Sequence, residues 1–277
     1  MSDDRPSLLI AGCGDLGIRL AERVPGWQVH GLRRNVARLP GTIMPEAGDL
    51  NRPETLARLD RYWDAVIYTA TPSGRGVEGY RSAYVDGLAR LLDRVETPRL
   101  IAVSSTAVYG QDGGEWVDED SPTEPSAFNG EILLEYEQLA RGAGGTALRF
   151  SGIYGPGRDF LIRKVRAGGV ECRREPAVWT NRIHAEDCAA ALAHLLALDQ
   201  LPPVLIGSDQ RPAPRWQVLS WLAEQLGADP PVEVADGEAG RKISQGKRVS
   251  AARLFATGFA LQYPDYRAGY EELLRCG

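Results

Sequence analysis

The sequence predicts an α/β protein whose main domain is a doubly wound parallel sheet, followed by a smaller C-terminal domain. Two observations carry this prediction. The apolar run 7–11 leads through Gly12-x-Gly14-x-x-Gly17 into a helical spacing of apolar residues. Further strand-like runs then alternate with helical patterns over the first two thirds of the chain. Such alternation is typical of parallel strands whose connecting helices cover both faces of the sheet.

The individual elements follow from the spacing of apolar residues along the chain. Buried strands are predicted at 7–11, 27–32, 65–70, 99–104 and 146–150, with a shorter one at 42–44. Helices are predicted at 16–24, 54–61, 82–95, 131–141, 185–198 and 216–226. The polar, Gly-rich residues 235–248 predict an exposed, mobile loop. We expect the two domains to comprise 1–152 plus 179–200, and 153–178 plus 201–277.

The glycines between the first strand and the first helix indicate a dinucleotide-binding turn. In such a turn one glycine permits the tight bend, one lets the backbone approach a pyrophosphate, and one lets helix and strand pack closely. The N–H groups at the start of the helix then face the phosphates. The motif therefore predicts a Rossmann fold with cofactor contacts at Gly12, Gly14, Asp15, Leu16 and Gly17.

The end of the second strand bears on the choice between NAD and NADP. It lies beside the adenosine ribose, where an acidic residue suits NAD and an arginine suits the 2′-phosphate of NADP. Here the strand runs into Arg33 and Arg34, with no acid beside them. Because a guanidinium makes bidentate contacts to phosphate, NADP is predicted, with NAD as the alternative. The competing interpretation is that both arginines are simply solvated.

Composition limits the other classes of function. The chain has 277 residues, of which 43% are hydrophobic and 25% charged, and its net charge is −5. The acidic excess argues against nucleic acid as the main partner. No apolar run approaches the roughly 20 residues that cross a bilayer, and the N-terminus does not resemble a signal peptide, so we expect a cytoplasmic protein. With four scattered cysteines and three histidines, no metal site is expected.

An ordered set of motifs extends from the third strand to the C-terminus: Gly48-Asp49-Leu50, Ala70-Thr71, 103–110 (VSSTAVYG), 148–157 (LRFSGIYGPG), 181–187 (NRIHAED) and 248–264. Together these motifs resemble the extended short-chain dehydrogenase/reductase family, the NAD-dependent epimerase/dehydratase group, over nearly the whole chain. The resemblance implies that Asp49 and Leu50 contact adenine. It also implies that Ala70 and Thr71 lie beside the cofactor.

The sequence departs from the family's pattern in two places. The family's GxxGxxG fingerprint is GxGxxG here, with Ala11 at the first glycine, and this variant should still bind a dinucleotide. The catalytic YxxxK pair is missing, because alignment through Gly130 and Glu137 puts Asn129 at the tyrosine and Leu133 at the lysine. In the family this pair assists proton transfer, which typically contributes roughly 10²–10⁴-fold. The pattern resembles the atypical branch, in which the fold and cofactor site persist without the full catalytic set.

Three hydroxyl side chains remain as candidates for contact with a substrate. Ser105 lies four residues before Tyr109, where the family places its substrate-binding Ser or Thr, although it would equally well cap the strand end. The resemblance places the phenols of Tyr109 and Tyr154 near the cleft, where the family's tyrosines mostly pack. His184 is expected to order its turn together with Asp187 rather than to act as a base.

Two hypotheses of different classes remain open. The first is an NAD(P)-binding oxidoreductase of the epimerase/dehydratase type, preferring NADP and acting on a carbonyl or nucleotide-sugar-like small molecule. An isomerase that uses the cofactor transiently is a variant of it. The second is a catalytically silent NADP-binding redox sensor or regulatory protein, favoured by the missing YxxxK pair. Basic residues in 158–174 would suit a substrate phosphate or form a solvated helix face. The resemblance also implies a homodimer formed through 82–95 and 131–141.

Overall fold

A computed structural model of the chain describes residues 5–234 and 244–276. The chain divides into two compact units. The first comprises Met1–Val108, Pro125–Arg149 and Cys188–Leu205, and the second comprises Tyr109–Glu124, Phe150–Asp187 and Ile206–Gly277. The domain boundaries expected from the sequence stay a prediction.

The secondary structure alternates between strands and helices. The strands are β1 Ser7–Ala11, β2 Gln28–Arg33, β3 Met44–Ala47, β4 Ala65–Tyr68, β5 Leu100–Ser105, β6 Gly113–Val117, β7 Thr146–Phe150, β8 Gly152–Tyr154, β9 Glu171–Cys172, β10 Trp179–Thr180, β11 Arg182–His184, β12 Val204–Gly207, β13 Ala213–Pro214, β14 Val232–Glu233 and β15 Gly246–Val249. The α-helices are α1 Asp15–Ala21, α2 Val77–Arg81, α3 Gly87–Arg94, α4 Phe128–Gly142, α5 Phe160–Arg166, α6 Ala185–Ala197, α7 Arg215–Leu226, α8 Ala252–Ala256 and α9 Tyr266–Cys276.

A seven-stranded sheet in the order β12-β7-β5-β4-β1-β2-β3 forms the centre of the first unit. Strand β1 pairs in parallel with β2 on one side and with β4 on the other. The chain thus winds outward in both directions from β1. In such sheets, ligands bind in the crevice outside the carboxyl ends of the strands at this reversal point. The α/β doubly wound fold predicted from the sequence is confirmed.

The centre of the sheet is buried because β1, from Leu8 on, and β4 consist of apolar residues. Leu8, Leu9 and Ile10 of β1 have no exposed surface, and neither do Val66 and Ile67 of β4. Continuous apolar runs are expected for parallel strands that are covered on both faces. The same pattern made these strands recognisable in the sequence.

Three predicted elements differ from the structure. The helix predicted at 54–61 is wrong, since only the 3-10 turn Pro53–Leu56 forms. There the Thr55 hydroxyl donates to the Arg52 carbonyl oxygen at 2.7 Å, and such local side-chain bonds compete with a regular helix. The strand predicted at 42–44 is displaced to β3, an edge strand that tolerates Pro45. The helix predicted at 82–95 begins earlier, as α2, and passes through the π-helical segment Ser82–Asp86 into α3.

The second unit has its own apolar core. Short two-stranded sheets pair β10 with β13, β11 with β8, β14 with β9 and β15 with β6. Helices α5 and α7 contribute Ile162, Val165, Val218 and Leu222 to one buried cluster, against which Trp221 packs. The loop predicted at 235–248 is wrong at its C-terminal end, because 246–249 pair with β6 and form strand β15. The part of the predicted loop at 235–243 lies outside the described residues.

None of the helices in the described ranges combines the length and the apolar character needed to cross a bilayer.

Candidate functional site

The glycine turn after β1 is fixed by contacts on two sides. Gly12 has a φ of +80°, and a Cβ placed there would collide with the backbone of Ala70. The N–H groups of Gly12 and Cys13 both donate to the carbonyl oxygen of Leu32, at 2.9 and 3.1 Å. The turn is therefore held against the ends of β4 and β2, and only glycine fits its first position.

The other two glycines of the motif have different surroundings. A Cβ on Gly14 would meet nothing closer than the Gly12 carbonyl oxygen at 3.8 Å, so the surface at Gly14 is open to an approaching ligand. A Cβ on Gly17 would lie 2.9 Å from Ile10 Cγ2 and 3.0 Å from Cys13 Sγ. Gly17 thus allows α1 to pack closely on β1. Neighbouring Asp15 receives a hydrogen bond from Arg19 at 2.9 Å.

A cleft of about 470 Å³ opens beside this turn within the first unit. Eight of the residues predicted to contact the cofactor line it: Gly12, Gly14, Arg33, Arg34, Asp49, Leu50, Ala70 and Thr71. Asp15, Leu16 and Gly17 are not among the lining residues, and Leu16 and Gly17 are buried under the turn. Further lining residues that sequence reasoning missed include Cys13, Asn35, Arg38, Asn51 and Ser73.

Three arginines make one end of the cleft cationic. Arg33 ends β2 and donates from Nη1 to the carbonyl oxygen of Cys13 at 3.0 Å. Arg34 and Arg38 are exposed, and a 3-10 turn that Asn35 caps through Ala37 N–H places Arg38 beside the cleft. The closeness of Arg38 to Arg33 and Arg34 in the sequence is the signal that could have identified it as a cleft residue. The open backbone at Gly14 and the nearby guanidinium groups fit a dinucleotide with its phosphates.

Hydrogen bonds around the loop after β3, next to the end of β2, hold another part of the cleft lining. The Asp49 carboxylate accepts the Asn51 N–H at 3.0 Å, and the Asp49 N–H donates to the Thr55 hydroxyl at 2.8 Å. The carbonyl oxygen of Leu50 accepts a hydrogen bond from Arg90 at 3.2 Å. These bonds fix the loop that the family resemblance assigns to adenine.

Cys13 adds no negative charge to the turn. Burial raises the pKa of its thiol to about 11, against a smaller lowering by the Arg33 guanidinium. At neutral pH the residue is therefore a small apolar side chain. This state is compatible with an anionic cofactor beside it.

The serines at the end of β5 have separate roles in the first unit. The Ser105 hydroxyl oxygen accepts the Ala107 N–H at 3.2 Å, as expected of a strand-end cap. Over residues 5–234 and 244–276 the Ser105 hydroxyl donates to no other group, so its proton is available to a ligand. The Ser104 hydroxyl instead donates to Glu137 at 2.6 Å. Glu137 also accepts a hydrogen bond from Arg149 Nη2 at 2.6 Å, so this arginine pairs with a buried carboxylate.

The two positions aligned with the family's tyrosine and lysine lie on α4. Leu133 has 1% of its surface exposed and packs in the core. Asn129 is half-buried near the start of the helix. Neither side chain can titrate near neutral pH.

The two candidate tyrosines lie in the second unit and are both buried. The Tyr109 phenol donates to the carbonyl oxygen of Asp118 at 2.7 Å. Tyr154 packs against the rings of His184 and Tyr270, with centroid distances of 5.2 and 4.6 Å. Burial raises the pKa of the Tyr154 phenol well above its usual range. Packing dominates the surroundings of both side chains.

His184 and Asp187 order different parts of the second unit. His184 Nδ1 accepts the Glu186 N–H at 3.3 Å and so shapes the turn into α6. The buried Asp187 carboxylate accepts the N–H groups of Gln262 and Tyr263, at 2.7 and 3.0 Å. Each residue thus stabilises a turn or loop. In the described ranges, no group of three or more His, Cys, Asp or Glu residues could hold a metal ion.

Comparison with protein-family models gave no match. The chain is 32% identical to the protein YeeZ of Escherichia coli (strain K12) over 284 residues, covering 92% of this chain and 96% of YeeZ. A solved structure from Methylobacillus flagellatus, assigned as an NAD-dependent epimerase/dehydratase, is 36% identical with a TM-score of 0.80 and 98% coverage of each chain. MoeE5 in complex with UDP-glucose and NAD is 23% identical, with a TM-score of 0.79 and coverage of 98% and 97%.

The doubly wound sheet and the glycine turn define a Rossmann-type protein, and the likeness to MoeE5 shows this fold alone. The identities to YeeZ and to the Methylobacillus flagellatus protein extend over almost the whole chain. The chain belongs to the NAD-dependent epimerase/dehydratase family. The resemblance inferred from the sequence motifs is thereby confirmed.

Proposed function

We propose that this chain is an NADP-preferring oxidoreductase of the epimerase/dehydratase type that acts on a carbonyl compound or a nucleotide-sugar-like small molecule. The cluster of Arg33, Arg34 and Arg38 along one cleft is the observation that carries the cofactor preference. A 2′-phosphate brings two negative charges, and guanidinium groups match its geometry. We further propose that the protein is cytoplasmic and forms a homodimer.

The charges beside the cleft favour the extra phosphate. Within the described ranges, neither Arg34 nor Arg38 has a hydrogen bond or salt bridge, so both remain available to a ligand. Asp49 is the one carboxylate among the cleft-lining residues, and it is engaged by the Asn51 N–H. Glu46, which lies on β3 next to β2, is paired with His30 at 2.8 Å. Among the described residues that line the cleft, the end of β2 carries arginines and no acid, whereas an acid at this position holds the ribose hydroxyls of NAD in the usual arrangement.

The cofactor preference is tested by titrating the purified protein with NADPH and with NADH. Arg34→Ala and Arg38→Ala should each weaken NADPH binding by roughly 10- to 100-fold, because a hydrogen bond to a charged group is lost, and should leave NADH binding nearly unchanged. Arg33→Ala should also weaken NADPH binding more than NADH binding, although it removes the bond to Cys13 as well. Arg58→Ala, an exposed arginine outside the cleft, is the matched control. Equal losses for both nucleotides would contradict the NADP assignment.

A catalytically silent NADP-binding sensor or regulator is the second candidate function. Asn129 and Leu133, at the positions of the family's proton-transfer pair, favour it. The two functions are separated by incubating the NADPH-bound protein with a panel of carbonyl compounds and nucleotide sugars. Oxidation of NADPH by any of them supports the enzyme. Tight NADPH binding without oxidation across the panel supports the sensor.

Among the candidate catalytic residues, we propose Ser105 as the substrate contact, because its hydroxyl proton is available. Ser105→Ala should lower kcat/KM while changing the unfolding free energy by less than about 1 kcal/mol. Ser104→Ala is the matched control, since it removes a buried hydrogen bond to Glu137 and should mainly reduce stability. Tyr109 and Tyr154 remain candidate proton donors. A loss of stability without a change in kcat/KM for Ser105→Ala would contradict the proposal.

A further inference from the structure

We propose that the second unit contains a binding site for a planar aromatic ring that bears a single carboxylate. The site is the cavity beside Trp116, with Arg248 as the residue that receives the carboxylate. This inference goes beyond the proposed function, because it concerns a cavity in the unit that does not contain the nucleotide cleft.

The cavity lies at the end of a two-stranded parallel sheet. Strands β6 and β15 pair so that Arg248 lies opposite Trp116 and Val249 opposite Val117. Side chains two residues apart point to the same face of a strand. Asp118 and Ser250 follow the sheet, and together with Trp116 and Val117 they line a cavity of about 400 Å³ that is open to solvent. Arg248 lies next to these residues, against the ring of Trp116.

Arg248 is held in place by two aromatic rings. Its Cζ lies over the ring of Trp116 at 5.3 Å and over the ring of Trp179 at 4.9 Å from the centroids. Its Nε donates to the carbonyl oxygen of Gly114 at 2.7 Å. Gly114, with a φ of +81°, makes room for this arrangement, since a Cβ there would lie 3.2 Å from Trp179 Cδ1.

The terminal nitrogens of Arg248 are available for a ligand. Within the described part of the chain, neither of its Nη atoms has a hydrogen bond or a salt bridge. A guanidinium already fixed by stacking and by its Nε loses little freedom when it binds a carboxylate through two parallel N–H donors. The geometry is that of a preformed carboxylate receptor.

Trp116 supplies the surface for the ring. Its indole is 54% exposed although it lies next to the cavity, an unusual position for a large aromatic side chain. An aromatic ring stacked on it gains contact area and a favourable ring–ring geometry. The Ser250 hydroxyl, which accepts the Ala252 N–H at 3.4 Å, retains a proton to donate to a ring substituent.

The surrounding charges select a ligand with one negative charge. The neighbouring cations are engaged, since Lys247 donates to the Tyr109 carbonyl oxygen and Arg253 pairs with Asp120 at 2.7 Å. Asp118, at the cavity wall, remains a carboxylate because its hydrogen bond from the Ser121 hydroxyl lowers its pKa. A diphosphate carries more negative charge than one available guanidinium can neutralise, and this carboxylate repels it more strongly than it repels a single carboxylate.

The test is calorimetric titration of the full chain, without nucleotide, using cinnamate as the probe. We expect saturable one-to-one binding, with cinnamamide weaker by roughly tenfold or more because it lacks the charge. Two further compounds should also bind more weakly than cinnamate: 3-cyclohexylpropanoate, which is the saturated counterpart of cinnamate, and UDP, which carries several negative charges. Arg248→Gln should weaken cinnamate binding by roughly tenfold or more. Trp116→Leu should abolish the preference for the aromatic over the saturated ring, and it should also weaken cinnamate binding because it removes one of the two rings that hold Arg248.

Arg174→Gln is the matched control, because Arg174 also lies over an indole, that of Trp216, at 5.8 Å and outside the cavity. The Arg174→Gln variant should bind cinnamate with the same affinity as the unmodified chain. Absence of cinnamate binding, equal binding by Arg248→Gln, or tighter binding of UDP than of cinnamate would each overturn the proposal. Because the cinnamate titration contains no nucleotide, a negative result would not bear on the cofactor preference, which the NADPH titration tests separately.

Discussion

The carboxylate of Glu137 and the guanidinium of Arg149 form a bidentate ion pair in the interior of the first unit. Arg149 Nη2 lies 2.6 Å and Arg149 Nε 2.9 Å from the two carboxylate oxygens of Glu137. The Glu137 side chain has no exposed surface and that of Arg149 has 4%. The pair links α4 to β7, and the Ser104 hydroxyl of β5 completes it.

Breaking this pair should destabilise the fold strongly. Glu137→Gln leaves a buried guanidinium without its counter-charge, so the unfolding free energy should fall by about 3–5 kcal/mol. Urea denaturation measures this change. Glu135→Gln on the same helix is the control, because its pair with Arg81 is exposed to solvent, which screens it, so its loss should lower the unfolding free energy far less. Similar small losses for both variants would contradict the buried pair's importance.

The glycine turn should separate stability from nucleotide binding. Gly12→Ala places a methyl group against the backbone of Ala70 at a positive φ, and we expect a loss of about 1–3 kcal/mol or more in unfolding free energy. Gly14→Ala finds open space, so it should unfold at nearly the same temperature while its methyl group hinders the nucleotide. Thermal unfolding and NADPH titration on both variants check the contrast. A stable Gly12→Ala variant would contradict the steric argument.

Asp209 should make stability fall as the pH rises. Burial raises the pKa of its carboxyl from 3.8 to about 7, so the folded state keeps this proton when the unfolded state has released it. Asp209 therefore contributes favourably to the unfolding free energy below pH 4, and this contribution is lost as the pH rises from about 4 to 7. Above pH 7 the effect of Asp209 on the unfolding free energy no longer changes with pH. The unfolding free energy of Asp209→Asn minus that of the unmodified chain should therefore increase over this window, by up to about 1.4 kcal/mol per pH unit.

Asp118→Asn provides the control of opposite sign. The Ser121 hydroxyl lowers the pKa of Asp118, so its favourable contribution is present at neutral pH and is lost on acidification. The stability difference between Asp118→Asn and the unmodified chain should therefore shrink as the pH falls. Two variants with the same pH dependence would contradict the assigned environments of these carboxyl groups.

Tyr109→Phe should distinguish packing from proton donation. Its phenol donates to the Asp118 carbonyl oxygen at 2.7 Å, so its removal should cost about 1 kcal/mol of unfolding free energy. Tyr154→Phe removes a longer contact of 3.5 Å to Asp265 and should cost less. We expect both variants to keep kcat/KM within a few-fold. A fall of roughly 10²-fold or more in either variant would assign that phenol to proton transfer.

The parts of the fold that follow local rules were predictable from sequence. Strand β4 and, from Leu8 on, strand β1 are continuous apolar runs, whereas β7 includes the buried Arg149. The glycine turn has the GxGxxG spacing directly after β1. The helix predicted at 54–61 does not form, because the Thr55 hydroxyl donates to nearby backbone carbonyl oxygens. The amphipathic spacing of the segment gives no indication of these hydrogen bonds. Strand β6 is short and its β15 partner is distant in sequence, so neither has a recognisable pattern on its own.

The candidate site was predictable to a similar extent. Arg33 and Arg34 follow directly from the strand end, whereas Arg38 reaches the cleft only because a 3-10 turn follows Asn35. The stacking of Arg248 over two indoles depends on pairing between β6 and β15. Long-range pairing of this kind leaves no periodic signal in a single sequence.

The buried thiol in the glycine turn has a practical consequence for handling the protein. With a pKa of about 11, Cys13 would be a thiolate in only about one molecule in ten thousand at pH 7. Cys13 also has no exposed surface, although it is among the residues around the cleft. Alkylating reagents can therefore reach it only when the turn opens. The rate of Cys13 alkylation, followed by mass spectrometry with and without NADPH, would thus report how often this turn opens and how far the nucleotide suppresses that opening.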